Sequence, residues 1–139
     1  MTGVLYPDLV FIELACPQMP TSPVVVYSYS RCSTCRRAIA WLKENGVAHE
    51  IVDIVEQPPG KDQLLIAKNQ LLNRKKLFNT SGISYRELGA SVVNAMSDDE
   101  AIEALASDGK LVKRPFLITK DNKVLVGFKQ EEWTNLLLN

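Results

Sequence analysis

Val24-Val-Val-Tyr-Ser-Tyr-Ser-Arg-Cys32-Ser-Thr-Cys35-Arg-Arg37 is a run dense in β-branched and aromatic residues that stops, turns and continues into two thiols one helical turn apart. The apolar run from Val24 to Tyr29 predicts a central strand. A Cys-x-x-Cys placed after a strand and at a helix start is the layout of a redox-active dithiol. A thiol there faces unpaired backbone N–H groups and the positive end of the helix dipole, so its thiolate is favoured and its pKa falls. Cys32 is therefore the candidate nucleophile. Cys35 lies on the same helical face, where it can reach a sulfur held by Cys32 and close a disulfide.

Two other readings of these thiols are weaker. Arg31, Arg36 and Arg37 make the neighbourhood cationic, which argues against a pair of small buried apolar groups. Arg36 is counted with the candidate substrate-binding residues. A zinc site from Cys16, Cys32, Cys35 and His49 lacks a second Cys-x-x-Cys or a His pair, and His49 falls on a predicted strand. No metal is expected, and His49, the only histidine, reads as a structural or surface residue.

Outward from the dithiol, 34–45 predicts a helix with Ala38, Trp41, Leu42 and Asn45 on one stripe and Asn45-Gly46 as its stop. Residues 47–55 predict the next strand, giving a β-α-β unit with a parallel pair. After Gln57-Pro-Pro-Gly60, a helix from 61 to 73 carries Leu64, Leu65, Leu71 and Leu72 as its apolar residues. Short elements follow: a helical turn at Lys75-Lys-Leu-Phe78, capping-box spacing at Ser84-Tyr-Arg-Glu87, and the same signal at Ser97-Asp-Asp-Glu100 opening a helix to about Ala106. Arg74-Lys75-Lys76 reads as a solvated face rather than a nucleic-acid patch. Pro115-Phe-Leu-Ile-Thr119 and Lys123-Val-Leu-Val126 flank a hairpin turn, and a helix from Gln130 with Trp133, Leu136 and Leu137 inward closes the chain. The order β-α-β, helices, β-β-α predicts an α/β protein with a thioredoxin-like fold and a helical insertion between its halves.

The 139 residues suit one domain able to bury a core without metal or structural disulfide. With 16 basic and 16 acidic side chains the net charge is zero, so no global field draws the chain to DNA or to an anionic membrane, and any anion site must be local. Three cysteines do not make a secreted disulfide framework, and a reducing cytoplasm suits a dithiol that must cycle. The run Leu9–Cys16 is too short to span a bilayer and contains Glu13. Three prolines within residues 17–23 make a linker-like break. Residues 1–22 are therefore set apart from a domain of 23–139. That extension is either an upstream artefact of a start at Met19 or a short element docked on the domain, and Cys16 has no assigned role.

Arg114-Pro115 is the second constellation. In a dithiol fold of this shape a proline entering the third strand is typically cis and lies against the dithiol, exposing backbone for a substrate. Arg114 would then direct its guanidinium to Cys32, where it can stabilise a thiolate and bind an oxyanion or carboxylate. A solvated arginine in Lys110-Leu-Val-Lys-Arg114 is the alternative.

Three blocks carry a family resemblance: Tyr29-Ser-Arg-Cys32-Ser-Thr-Cys35-Arg, then Leu77-Phe-Asn-Thr-Ser-Gly82 with Tyr85-Arg-Glu-Leu88, then Leu105-Ala-Ser-Asp-Gly-Lys-Leu-Val-Lys-Arg-Pro115 with Val126-Gly-Phe128. From about Val24 to Leu137 the chain resembles the arsenate reductase (ArsC)-like family, which includes the Spx/MgsR regulators, and its motifs look most like the YusI and YffB branch. The resemblance implies a thioredoxin-like fold with the nucleophile at Cys32. In the arsenate reductases three arginines surround the oxyanion, and glutathione with glutaredoxin completes the cycle. Arg114 matches the arginine before the cis proline. The other two positions fall at Asn79 and near Gly127, which removes charge-assisted bonds worth roughly 1.5–3 kcal/mol each. Cys35 stands where the glutaredoxin-linked enzymes have serine, as in the Spx/MgsR branch. Against that branch, the chain ends at Asn139 without the basic tail typical of those regulators.

The expected function is a thiol–disulfide oxidoreductase in which Cys32 attacks, Cys35 resolves, and Arg114, Pro115 and Arg36 meet the substrate. No bound cofactor is expected; glutathione, glutaredoxin or thioredoxin would restore the dithiol. Arsenate reduction is the narrower version. The alternative is a redox-sensing regulator docking on the α subunit of RNA polymerase without direct DNA contact. A cytoplasmic monomer is expected in either case.

Overall fold

The computed structural model describes residues 23–138. The two readings of residues 1–22, and Cys16 with them, lie outside the described residues. Val24–Ser28 forms β1, Ser33–Glu44 α1 and His49–Asp53 β2. The insertion comprises α2 (Lys61–Leu71), a 3-10 turn at Arg74–Leu77, α3 (Ile83–Leu88), α4 (Ala90–Ala95), α5 (Asp98–Ser107) and a second 3-10 turn at Gly109–Leu111. The chain then returns as β3 (Phe116–Ile118), β4 (Val124–Val126) and α6 (Gln130–Leu137). The sheet order is β2-β1-β3-β4, with β1 parallel to β2 and antiparallel to β3, and β3 antiparallel to β4. This is the thioredoxin-like arrangement with the expected insertion, and β1 is central.

Strand alternation divides the core into two layers, since successive side chains point to opposite faces. Val24, Val26 and Leu117 pack with Ala38, Trp41 and Leu42 of α1 and Trp133 of α6. Tyr27, Phe116 and Ile118 face the other way, onto Leu64 and Ala67 of α2, Leu105 of α5, and Leu77 and Phe78. Trp133 is edge-on to both Trp41 and Phe128, at 6.0 and 5.0 Å between ring centroids, and its Nε1–H donates to the Gly127 carbonyl at 3.1 Å. Its ring is thereby buried without an orphaned donor.

Several expectations are corrected at element ends. Helix α1 starts at Ser33, because Cys32 itself is the N-cap. Asn45 is exposed rather than on the core stripe, and its side chain bonds the Trp41 carbonyl at 2.9 Å. Strand β2 stops at Asp53, whose carboxylate accepts from the N–H groups of Val55 and Glu56 and turns the chain. Helix α2 ends two residues early because Leu72 is left-handed at φ 60°, and of its apolar residues Leu64 is buried while Leu65 and Leu72 are exposed. Ser84 caps nothing: α3 already starts at Ile83, with Gly82 as its N-cap. The Ser97–Glu100 capping box is present in both directions. Among the described residues no helix is long and apolar enough to cross a membrane.

The insertion touches the returning strands at one place that matters for the site. Phe78 and Val112 form an antiparallel bridge, flanked by Asn79 N–H to the Leu111 carbonyl and Lys113 N–H to the Leu77 carbonyl, both at 2.7 Å. The Leu77–Asn79 segment therefore sets the path of the chain immediately before Arg114.

Candidate active site

Strand β1 delivers the chain to the dithiol. The Tyr29 carbonyl accepts from Cys32 N–H at 3.0 Å, closing the turn, and Arg36 Nη1 donates back to the Ser30 carbonyl at 2.7 Å. The Cys32 carbonyl then accepts the first helical bond, from Arg36 N–H at 3.1 Å. Cys32 has extended backbone at φ −97° and ψ 115°, and its Sγ accepts from Cys35 N–H at 3.3 Å. The sulfur thus takes the place of the oxygen of a serine or aspartate N-cap.

Both thiols are free, Cys32 partly exposed and Cys35 fully buried. Partial burial works against ionisation of Cys32, but the Cys35 N–H, the Cys35 thiol and the Arg114 guanidinium outweigh it, and its pKa is lowered. Burial pushes Cys35 the other way, up to about 11, and the adjacent Cys32 adds to the rise, while the Tyr29 backbone and the Ser28 side chain oppose it. One dithiol thus holds a thiolate-forming sulfur at the surface and a protonated one beneath it. Ser28, polar yet buried at the end of an apolar strand, has its partner in Cys35.

The Arg114–Pro115 peptide is cis and Pro115 is buried. Arg114 reaches Cys32 as expected, and its guanidinium also lies over the Tyr29 ring, 4.8 Å from the centroid. Arg36 Nη1 donates to the Ser30 carbonyl, and the structure brings together Cys32, Cys35 and Arg114, with Pro115 next in the chain after Arg114. Arg37 instead turns to Thr34 Oγ1 at 3.4 Å. No arginine stands at Asn79 or Gly127, the positions matching the other two oxyanion ligands. His49 is half-buried with its Nδ1 2.7 Å from the Val47 carbonyl. Among the described residues no group of three or more His, Cys, Asp or Glu side chains is placed to hold a metal ion.

Sequence reasoning missed Ser28 and Tyr29, whose only signal was a polar and an aromatic residue at the end of a strand. It also missed a cavity of about 630 Å³ that opens beside Thr34 and Arg114. Lys75 and Lys76 are exposed, as expected of a solvated face, and also line it.

The ArsC family model matches residues 27–136, a stretch that holds both thiols, the insertion and the cis proline. The uncharacterised protein YusI of Bacillus subtilis is 48% identical over 109 residues, covering 77% of this chain and 92% of its own. A crystal structure of an ArsC family related protein from Bacteroides fragilis superposes with a TM-score of 0.75 at 43% identity, covering 84% of this chain and 98% of that one. More distant relatives bear two different names. The arsenate reductase of Neisseria meningitidis is 28% identical over 75% of this chain and 89% of its own. The global transcriptional regulator Spx of Streptococcus agalactiae is 26% identical over 78% of this chain and 79% of its own. From the matched span and the shared fold, the chain belongs to the ArsC family.

Proposed function

We propose that the protein is a thiol–disulfide oxidoreductase in which Cys32 is the nucleophile and Cys35 the resolving thiol. The observation that carries this is the split between two neighbouring sulfurs: Cys32 accessible with a lowered pKa, Cys35 buried and held protonated. Cys32 thiolate attacks one sulfur of a substrate disulfide, forms a mixed disulfide and expels the first thiolate. The Cys32 thiolate that had opposed ionisation of Cys35 is then gone. Cys35 loses its proton more readily, attacks the Cys32 sulfur, closes the intramolecular disulfide and releases the second thiolate. Two electrons pass from the dithiol to the substrate. Glutathione, glutaredoxin or thioredoxin returns them, in the cytoplasm.

Arsenate is the narrower substrate. With Arg114 as the sole match to the family's oxyanion arginines, a thiol or disulfide suits the site better. The test is purified protein given glutathione and glutaredoxin, or thioredoxin and its reductase, with a disulfide or arsenate as acceptor. The expected result is reversible Cys32–Cys35 oxidation coupled to reduction of the disulfide. Protein that neither cycles its dithiol nor turns over either acceptor would disprove the reading.

The Spx relative favours a second reading, in which the same disulfide alters a surface that docks on the RNA polymerase α subunit. Pull-down of the α C-terminal domain with oxidised and reduced protein tests it; binding that ignores redox state eliminates it.

A further inference from the structure

Among the described residues six cations, Arg37, Lys75, Lys76, Lys113, Arg114 and Lys129, line the cavity beside the dithiol, against a single carboxylate, Glu132. The chain as a whole is neutral, so this is a strong local excess. Glu132 stands 3.9 Å from Lys129. Among the described residues none of the other five cations forms an ion pair. The six come from four separate stretches: α1, the 3-10 turn at Arg74–Leu77, the segment before Pro115, and the N-cap of α6. Bringing like charges from distant parts of the chain around one concavity raises its potential and draws in anions.

The lining also has a second character. Leu71, Phe78, Val126 and Phe128 give it apolar walls suited to a ring system. Thr34, inside the Cys-x-x-Cys, and Arg114, which also acts on Cys32, are both on the lining, so the cavity opens next to the reactive sulfur although the sulfur itself is not on its wall. A molecule with its sulfur at Cys32 would lay its remainder in this space. A tripeptide thiol with two carboxylates and its own ammonium would leave most of the cations unanswered. Lysines acting as point charges suit phosphates.

We infer that the cavity holds the body of a small thiol or disulfide bearing several phosphates, presented to Cys32 along its Thr34–Arg114 edge; coenzyme A disulfide is the accessible probe. This rests on Cys32 being the nucleophile. The first attack joins Cys32 to one half of the probe and expels the other half as thiolate. Attack by Cys35 then releases the second half, so the disulfide gains the two electrons that the protein dithiol loses.

Two measurements separate the site from the chemistry. Calorimetry with desulfo-coenzyme A on the full-length Cys32→Ser protein reads binding without thiol exchange. Saturable binding is expected, weakened at least about tenfold in a Lys75→Glu/Lys76→Glu background and unchanged by Lys43→Glu, which lies off the cavity. Stopped-flow oxidation of the reduced wild-type protein then compares coenzyme A disulfide, glutathione disulfide, neutral hydroxyethyl disulfide and cationic cystamine. The rates are expected to fall in that order at low salt, with the first about tenfold or more above the neutral probe, and to converge as salt is raised. The salt series uses wild type alone, so it decides even if the double variant folds poorly. No binding of desulfo-coenzyme A, or equal rates for polyanionic and neutral probes at low salt, overturns the site and leaves the oxidoreductase reading intact. Binding together with a Cys32 inert to every disulfide overturns the oxidoreductase reading and keeps the polyanion site.

Discussion

The Arg114 guanidinium lies 4.8 Å from the centroid of the Tyr29 ring while also acting on Cys32. Tyr29 follows the central strand and Arg114 precedes the next one, so two neighbouring strand ends hold one cation beside the nucleophile. The ring face limits where the guanidinium can go, which gives the charge a fixed position relative to the sulfur.

Removing that charge should move the pH profile of Cys32 without unfolding the protein. In wild type the midpoint of alkylation by iodoacetamide is expected below that of an ordinary thiol, since reaction follows the thiolate fraction. Arg114→Ala removes a stabiliser of the charged form, so the midpoint rises and the rate at neutral pH falls about three- to tenfold. Arg114→Lys, which keeps the charge but loses the planar contact with Tyr29, should recover part of the loss. A profile that does not move would show that Arg114 has no hold on the thiolate.

The two thiols should differ sharply as targets. In folded reduced protein near neutral pH, alkylation followed by peptide mass mapping should find label on Cys32 and almost none on Cys35, which is buried and pushed up to about 11. Cys32→Ser should abolish the fast phase. Cys35→Ala should keep it, with the midpoint somewhat higher because the Cys35 thiol no longer donates to Cys32. That variant should also accumulate mixed disulfides at Cys32. Preferential labelling of Cys35 would reverse the roles.

The features legible in the sequence are those whose cause is local. The Cys-x-x-Cys at a helix start, the Ser97–Glu100 capping box and the turn between Thr119 and Lys123 each depend on neighbours within a few residues. The element order follows from them. The exposure of Leu65 and Leu72 is not legible because an apolar residue on a helix does not reveal which face its neighbours cover, and the left-handed turn at Leu72, which ends the helix early, has no marker such as glycine. The cavity cations were missed for the same reason. Lys75 and Lys113 are brought to one cavity because the Leu77–Asn79 segment pairs with residues 111–113, a contact between parts of the chain more than thirty residues apart.

Gly109 makes one such distant contact testable. A Cβ built there would lie 1.7 Å from the Ile54 carbonyl oxygen, backbone against backbone, so no side-chain rotation relieves it. Gly109→Ala should force apart the turn after α5 and the end of the β1–β2 unit, destabilising the protein by about 3 kcal/mol. Urea unfolding followed by tryptophan fluorescence would measure it; a change under about 0.5 kcal/mol would show that the approach is looser than described. Because Gly109 also opens the 3-10 turn that leads to Val112, the variant's Cys32 midpoint should rise as Arg114 loses its place.

Ser28 separates the resolving step from the attacking one. Its hydroxyl supports ionised Cys35, whereas the groups that favour the Cys32 thiolate are Cys35 and Arg114. Ser28→Ala should therefore leave the alkylation midpoint of Cys32 in place and slow the closure of the Cys32–Cys35 disulfide. A hydrogen bond worth about 0.7–1.4 kcal/mol sets that slowing at about three- to tenfold. The measurement is the release of the second thiol after Cys32 has been loaded with a chromogenic disulfide, followed by rapid mixing as pH is varied. In wild type the release rate should rise with pH as Cys35 deprotonates, and in Ser28→Ala the same curve should lie at higher pH. A Ser28→Ala protein that resolves at the wild-type rate would mean that the proton leaves Cys35 without help from this hydroxyl. The Tyr29 N–H would then be the group that carries the developing thiolate.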